Sequence, residues 1–119
     1  MLVKYKKSCE KIAMGLLSFM PQERNLKALR HTMLRYEENP AWQLYLLKAK
    51  DSYVGLIGIE VAENHFIVHH ISVLPSYRGE GCGFMMMDKL QRMMQEREMR
   101  ATEETAEFLN TYKKKLAHN

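Results

Sequence analysis

The sequence predicts an α+β fold, on three observations. Two stretches before Pro40 carry apolar residues at helical spacing. From Trp42 to Leu74 the pattern becomes strand-like. After a cluster of glycines at 79–83, helical spacing returns. Helices and strands in one short chain must bury their apolar faces against each other. The chain has 119 residues, no internal repeat and no Pro-, Gly- or Ser-rich linker, so a single domain spanning 1–119 is expected.

Each element has its own signal. The opening "MLVKYK" reads as an edge strand. Cys9, Ile12, Ala13, Leu16 and Phe19 follow the spacing of one helix face, and Pro21 closes that run. Asn25 is a suitable N-cap for a second stripe of Leu26, Leu29, Met33 and Tyr36. Asn39-Pro40 ends it, because the residue before proline avoids helical geometry. "WQLYLLKA" and "YVGLIGIEV" flank "KDS" as a hairpin; Gly55 and Gly58 in the second strand mark a bulge or a close approach. "HFIVHHISVL" is a third strand, ended by Pro75, giving a mainly antiparallel meander. Gly83, Met86, Met87, Leu90, Met93 and Met94 then form an amphipathic helix whose methionines read as core against the sheet. "REMRAT" fits a short strand. A last helix is expected from Glu103 to Lys115, with Thr102 as its cap.

Bulk properties exclude several classes. No apolar run approaches the roughly 18 to 20 residues that span a bilayer. The N-terminus lacks the basic, apolar and small-residue succession of a secretory signal, so a cytoplasmic protein without membrane contact is expected. Cys9 and Cys82 are not in a CxxC pair and read as free thiols. The net charge is 18 − 14 = +4, but the basic residues are dispersed. Their one run, Lys113-Lys114-Lys115, reads as a solvated tail, and no nucleic-acid reader motif accompanies it.

The glycine junction "SYRGEGCGFMMMDKL" carries the strongest functional signal. Strand, glycines, then helix is the physical recipe for an anion site: the first helical turn has unpaired N–H groups and a positive dipole end. A Walker loop is excluded because no GK[ST] occurs. A dinucleotide loop fails because Phe84 stands where the third glycine belongs, and only 36 residues (119 − 83) follow Gly83. The spacing present is Arg78-x-x-Gly81-x-Gly83.

This spacing, with "HHISVLPSYRG" before it and the helix after it, resembles the acetyl-CoA loop of the GNAT acetyltransferases. The element order of nearly the whole chain is similar. "KYKKSCEKIAMGLLSFMP" and "HISV" most resemble the RibT branch, associated with riboflavin synthesis genes. The resemblance implies a GNAT acyl-CoA N-acyltransferase fold, with a mixed, mostly antiparallel sheet and no C-terminal strand pair. It implies that acetyl-CoA is the cosubstrate. The backbone of Gly79, Glu80, Gly81, Cys82, Gly83 and Phe84 would hold its pyrophosphate, Arg78 would open the loop, and Ile71, Ser72 and Val73 would offer their backbone to the pantetheine arm. Cys82 could act as a nucleophile beside a helix N-terminus, but no base is tied to it and its family position is a spacer.

Transfer to an amine needs a base, since an ammonium has no lone pair. His69, four residues before Val73, occupies a position that often carries a Glu or His base in the family, and is the first candidate. Strict alternation sends His70 to the opposite face, making it the weaker candidate; Glu60 is an alternative carboxylate. A zinc site is not expected: His65 and His69 would sit about 13 Å apart, and no ligand completes the set. The family's proton-donating tyrosine aligns with Leu109, leaving Tyr112, about one turn on, as a substitute. The expected activity is acetyl transfer to a primary amine on a small molecule or protein. The alternative is a catalytically weak CoA-binding regulatory or interaction module. The short C-terminus makes a homodimer plausible.

Overall fold

A computed structural model describes residues 1–118 of the chain. Five strands form one sheet: β1 (Leu2–Lys4), β2 (Trp42–Ala49), β3 (Ser52–Val61), β4 (His65–Val73) and β5 (Glu98–Ala101), in the spatial order of the chain. The first three junctions are antiparallel and β4 pairs β5 in parallel. Four helices cover it: α1 (Glu10–Leu17), α2 (Leu26–Glu38), α3 (Cys82–Met94) and α4 (Ala106–Ala117). This is the mixed α+β architecture expected, and the strand–helix order matches the sequence reading throughout.

Helix ends follow the anticipated chemistry. The Asn25 side chain accepts from Ala28 N (2.9 Å) at the start of α2. Thr102 opens a 3-10 turn, Glu103–Thr105, that leads into α4, and its N–H donates to Thr105 Oγ1 (3.0 Å).

Two cores sit on the two faces of the sheet. One packs Ile57, Ile59, Phe66, Val68 and Ile71 against Met86, Met87 and Leu90 of α3 and Leu109 and Tyr112 of α4. The other packs Leu44, Leu46 and Leu56 against Ala13, Leu16 and Leu17 of α1 and Met33 and Tyr36 of α2. Four apolar residues assigned to helical core faces stand out in solvent: Ile12 (42% exposed), Phe19 (44%), Leu26 (54%) and Met93 (43%). Phe19 lies beyond the end of α1, which stops at Leu17.

Gly58 shows why a strand tolerates a glycine. A Cβ there would overlap the Tyr36 hydroxyl, so the missing side chain makes room for Tyr36 to lie on β3. The adjoining ladder is irregular: Gly58 pairs with His70, but Ile59 pairs with Val68. One residue of β4, His69, is therefore extra, which is a β-bulge. It moves the apolar side chains of β4 from Phe66 and Val68 to Ile71 and Val73 on one face.

Candidate active site

The β4–β5 ladder runs only from His65↔Glu98 to Val68↔Ala101. Beyond it, residues 70–73 keep β3 on one side, and residues 69–73 have no strand on the other. A cleft of about 610 Å³ opens there. Ile71, Ser72 and Val73 form its floor, and Phe19, Met20 and Pro21 one wall. Phe108, Thr111 and Tyr112 of α4 form another.

The glycine loop closes one end. Arg78, Gly79, Gly81, Cys82, Gly83 and Phe84 all line the cleft; Glu80 is exposed and does not. Gly79 (φ 81°) and Gly81 (φ 83°) are left-handed, and a Cβ on either would meet nothing within 4 Å. The glycines are required by backbone conformation, not by space. Gly81 caps α3, and its carbonyl accepts from Met85 N (2.9 Å) to close the first turn. The N–H groups of Cys82, Gly83 and Phe84, in that first turn, have no helical acceptor. At Gly83 space does matter, since a Cβ would press on the Phe108 ring at 3.1 Å.

Side chains hold the backbone of β4 around the cleft. Thr105 Oγ1 donates to the Val68 carbonyl (2.7 Å), Gln22 Nε2 to that of His69 (3.1 Å) and Arg78 Nε to that of Val73 (3.0 Å). Ile71 and Ser72 lie between these anchored carbonyls. The Ser72 hydroxyl donates to Leu16 O (2.7 Å), so it holds α1. The Arg78 guanidinium also rests 5.2 Å from the centroid of the Phe19 ring.

The bulge corrects the expectation that His69 and His70 point to opposite faces. Both rings lie toward α2, with centroids 6.5 Å apart, because the extra residue breaks the alternation. Neither lines the cleft. His70 is buried. Its Nδ1 lies 2.6 Å from the Tyr36 hydroxyl and its Nε2 2.9 Å from Glu23 Oε2. Burial raises the Tyr36 pKa well above that of an ordinary phenol, so Tyr36 stays neutral and its hydroxyl shares a hydrogen bond with Nδ1. The Glu23 carboxylate can only accept, so Nε2 carries the hydrogen offered to it. Burial alone would raise the Glu23 carboxyl, but hydrogen bonds from His70 and Thr32 (2.8 Å) outweigh it and hold the pKa below the ordinary value.

His69 is half-buried, and its ring stacks on Trp42 at 4.2 Å. Its Nε2 lies 2.9 Å from Glu60 Oε1. Burial lowers its pKa below the ordinary imidazole value; Glu60 opposes the shift without cancelling it. His69 is therefore neutral near pH 7, with Nε2 engaged and Nδ1 left as the second ring nitrogen. Among the described residues, no three His, Cys, Asp or Glu side chains come together in a metal-binding group.

The tyrosine substitute takes a different place. Leu109 is core, and the Tyr112 hydroxyl donates to Asp88 Oδ1 (3.2 Å), so neither presents a free hydroxyl to the cleft. The sequence does not single out Glu23, Gln22 or Trp42, and it marks Tyr36 only as part of a helical core stripe. The one available signal was Gly58, whose bareness implies a bulky neighbour.

The chain matches the model of the "Acetyltransferase (GNAT) family" over residues 10–117. It is 46% identical, over 110 residues, to an uncharacterized N-acetyltransferase in the lysA 3′ region of Bacillus methanolicus, covering 92% of each chain. Its fold is similar to that of an aminoglycoside N-acetyltransferase, AAC(6')-Iy, in complex with CoA (TM-score 0.75, 15% identity, 96% of this chain and 84% of that one). A similar likeness is found to a ribosomal-protein-alanine N-acetyltransferase from Brucella melitensis (TM-score 0.69, 15% identity, 96% and 89%).

Proposed function

The chain belongs to the GNAT acetyltransferase family and is an acyltransferase, and on that premise we propose that it moves the acetyl group of acetyl-CoA to a primary amine by direct attack. The observation that carries this reading is the cleft. It joins an unpaired stretch of β4 to a left-handed glycine loop at the start of α3. The donor set suits acetyl-CoA: backbone N–H groups of residues 79–84 for the pyrophosphate, with Arg78 beside them, and the edge at Ile71, Ser72 and Val73 for the pantetheine arm. Bound there, acetyl-CoA supplies an activated thioester.

His69 is the base in this proposal. Glu60 fixes its Nε2, so Nδ1 takes the proton of the incoming ammonium, directly or through water. His70 is a positioning residue, since both of its ring nitrogens are engaged inside the protein. The thiol of Cys82 remains a spacer. A weak CoA-binding module without turnover is not favoured, given the family match and the N-acetyltransferase relative.

The acceptor is a small-molecule or protein amine, as in the aminoglycoside and ribosomal-protein enzymes of the same fold. The likeness to the RibT branch makes flavin-pathway amines one arm of an acceptor panel. Thermal shift with acetyl-CoA and CoA, followed by thiol release with that panel, tests the proposal. Stabilisation by both and amine-dependent thiol release are expected. No stabilisation of ligand-free protein by either would overturn it.

A further inference from the structure

The lysine run near the C-terminus is not uniform. Of Lys113, Lys114 and Lys115, only Lys115 lines the cleft, where its Nζ lies 5.6 Å from the centroid of the Phe84 ring. Phe84 is the last residue of the glycine loop and sits in the first turn of α3. Lys115 thus adds a side-chain cation to a place already rich in backbone N–H groups.

The face of α4 that borders the cleft has a polarity. From the β4–β5 divergence toward the loop it carries Glu104 in the preceding turn, then Glu107, Phe108, Thr111, Tyr112 and Lys115. The acidic end is fixed at the divergence, because Thr105 is bonded to Val68. The basic end is fixed at the loop, because Tyr112 packs on Phe84 with centroids 5.0 Å apart. A ligand laid along this helix with its anionic end at the loop meets Lys115 and an apolar middle. Reversed, its anion would face Glu104 and Glu107.

We infer that Lys115 is a specificity residue of this cleft, pairing with the diphosphate of the donor. This rests on the proposed acetyl-CoA reading and extends it to a residue outside the loop. An ammonium on a flexible stem acts here as a point charge, while the loop supplies directional hydrogen bonds.

The test is direct binding of CoA and dephospho-CoA to the intact protein and to Lys115→Ala, by calorimetry at low and high salt. The variant should bind both ligands about fivefold to tenfold more weakly. The gap should narrow with added salt, and Lys115→Arg should restore most of the affinity. Equal affinity in wild type and Lys115→Ala would overturn the inference while leaving acetyl-CoA binding intact. A loss confined to CoA would also overturn it, by moving the contact to the 3′-phosphate that dephospho-CoA lacks. Lys115 is exposed, so unfolding of the variant is not expected to interfere.

Discussion

The two sides of β4 present polar groups in opposite ways. On the cleft side, the working surface is backbone: left-handed Gly79 and Gly81, the first turn of α3, and the unpaired edge at 69–73. On the α2 side it is side chain: Glu23, Tyr36, His70, Glu60, His69 and Trp42, linked by hydrogen bonds and stacking. The backbone surface can accept any anion of suitable shape. The side-chain surface is committed, because most of its polar atoms already have protein partners. One side therefore sets what is bound, and the other sets how the protein around the reaction is held and which atom takes a proton.

Substitutions separate these roles, beginning with the largest effect. Glu23→Ala leaves the buried Nε2–H of His70 and the partly buried Thr32 hydroxyl without their acceptor, and should cost about 3 kcal/mol of stability in denaturant unfolding at pH 7. The folded-state pKa of Glu23 is lowered, so its contribution is present above the ordinary carboxyl pKa and is lost as pH falls through the folded value. The gap between wild type and variant should close in acid; a gap independent of pH would mean the carboxylate charge is not what matters.

Next comes His69→Gln, which should lower kcat about 100-fold with little change in the KM for acetyl-CoA. An unchanged kcat would remove His69 as base. Gly81→Val should act on the other side only. The left-handed strain, roughly 1–2 kcal/mol, should weaken CoA binding about tenfold or more, while thiol release at saturating donor changes less. The smallest effect belongs to Glu60→Gln. Glu60 raises the His69 pKa, so removing its charge should move the acid limb of kcat/KM to lower pH. A limb that stays in place, or moves up, would break the Glu60–His69 assignment.

How far the sequence could be read follows the same division. A left-handed glycine is a local demand, visible as spacing in Arg78-x-x-Gly81-x-Gly83, and the structure puts those glycines at the helix start as expected. Strand and helix order were legible because hydrophobic period reports them directly. The α2 side was not. Its arrangement depends on one extra residue at His69; Gly58 marks a bulge or close approach there, but neither it nor alternation tells that the extra residue is on β4. It also depends on residues 18–25, a loop without periodicity, whose Gln22 and Glu23 grip the backbone of His69 and the ring of His70. Phe19 stands in solvent because α1 stops at Leu17, short of the end of the apolar stripe, whereas Ile12 lies inside α1 and faces outward.

The stacking of His69 on Trp42 has an optical consequence. Trp42 is the sole tryptophan of the chain, and its indole lies nearly parallel to the imidazole, at 16°. A protonated imidazole in that position withdraws electron density from an excited indole and dims its emission; a neutral one does so far less. The chain thus carries its own indicator dye, mounted on the residue proposed as the base. Its brightness against pH would trace the charge of one imidazole in the resting protein, with no substrate present and no label attached.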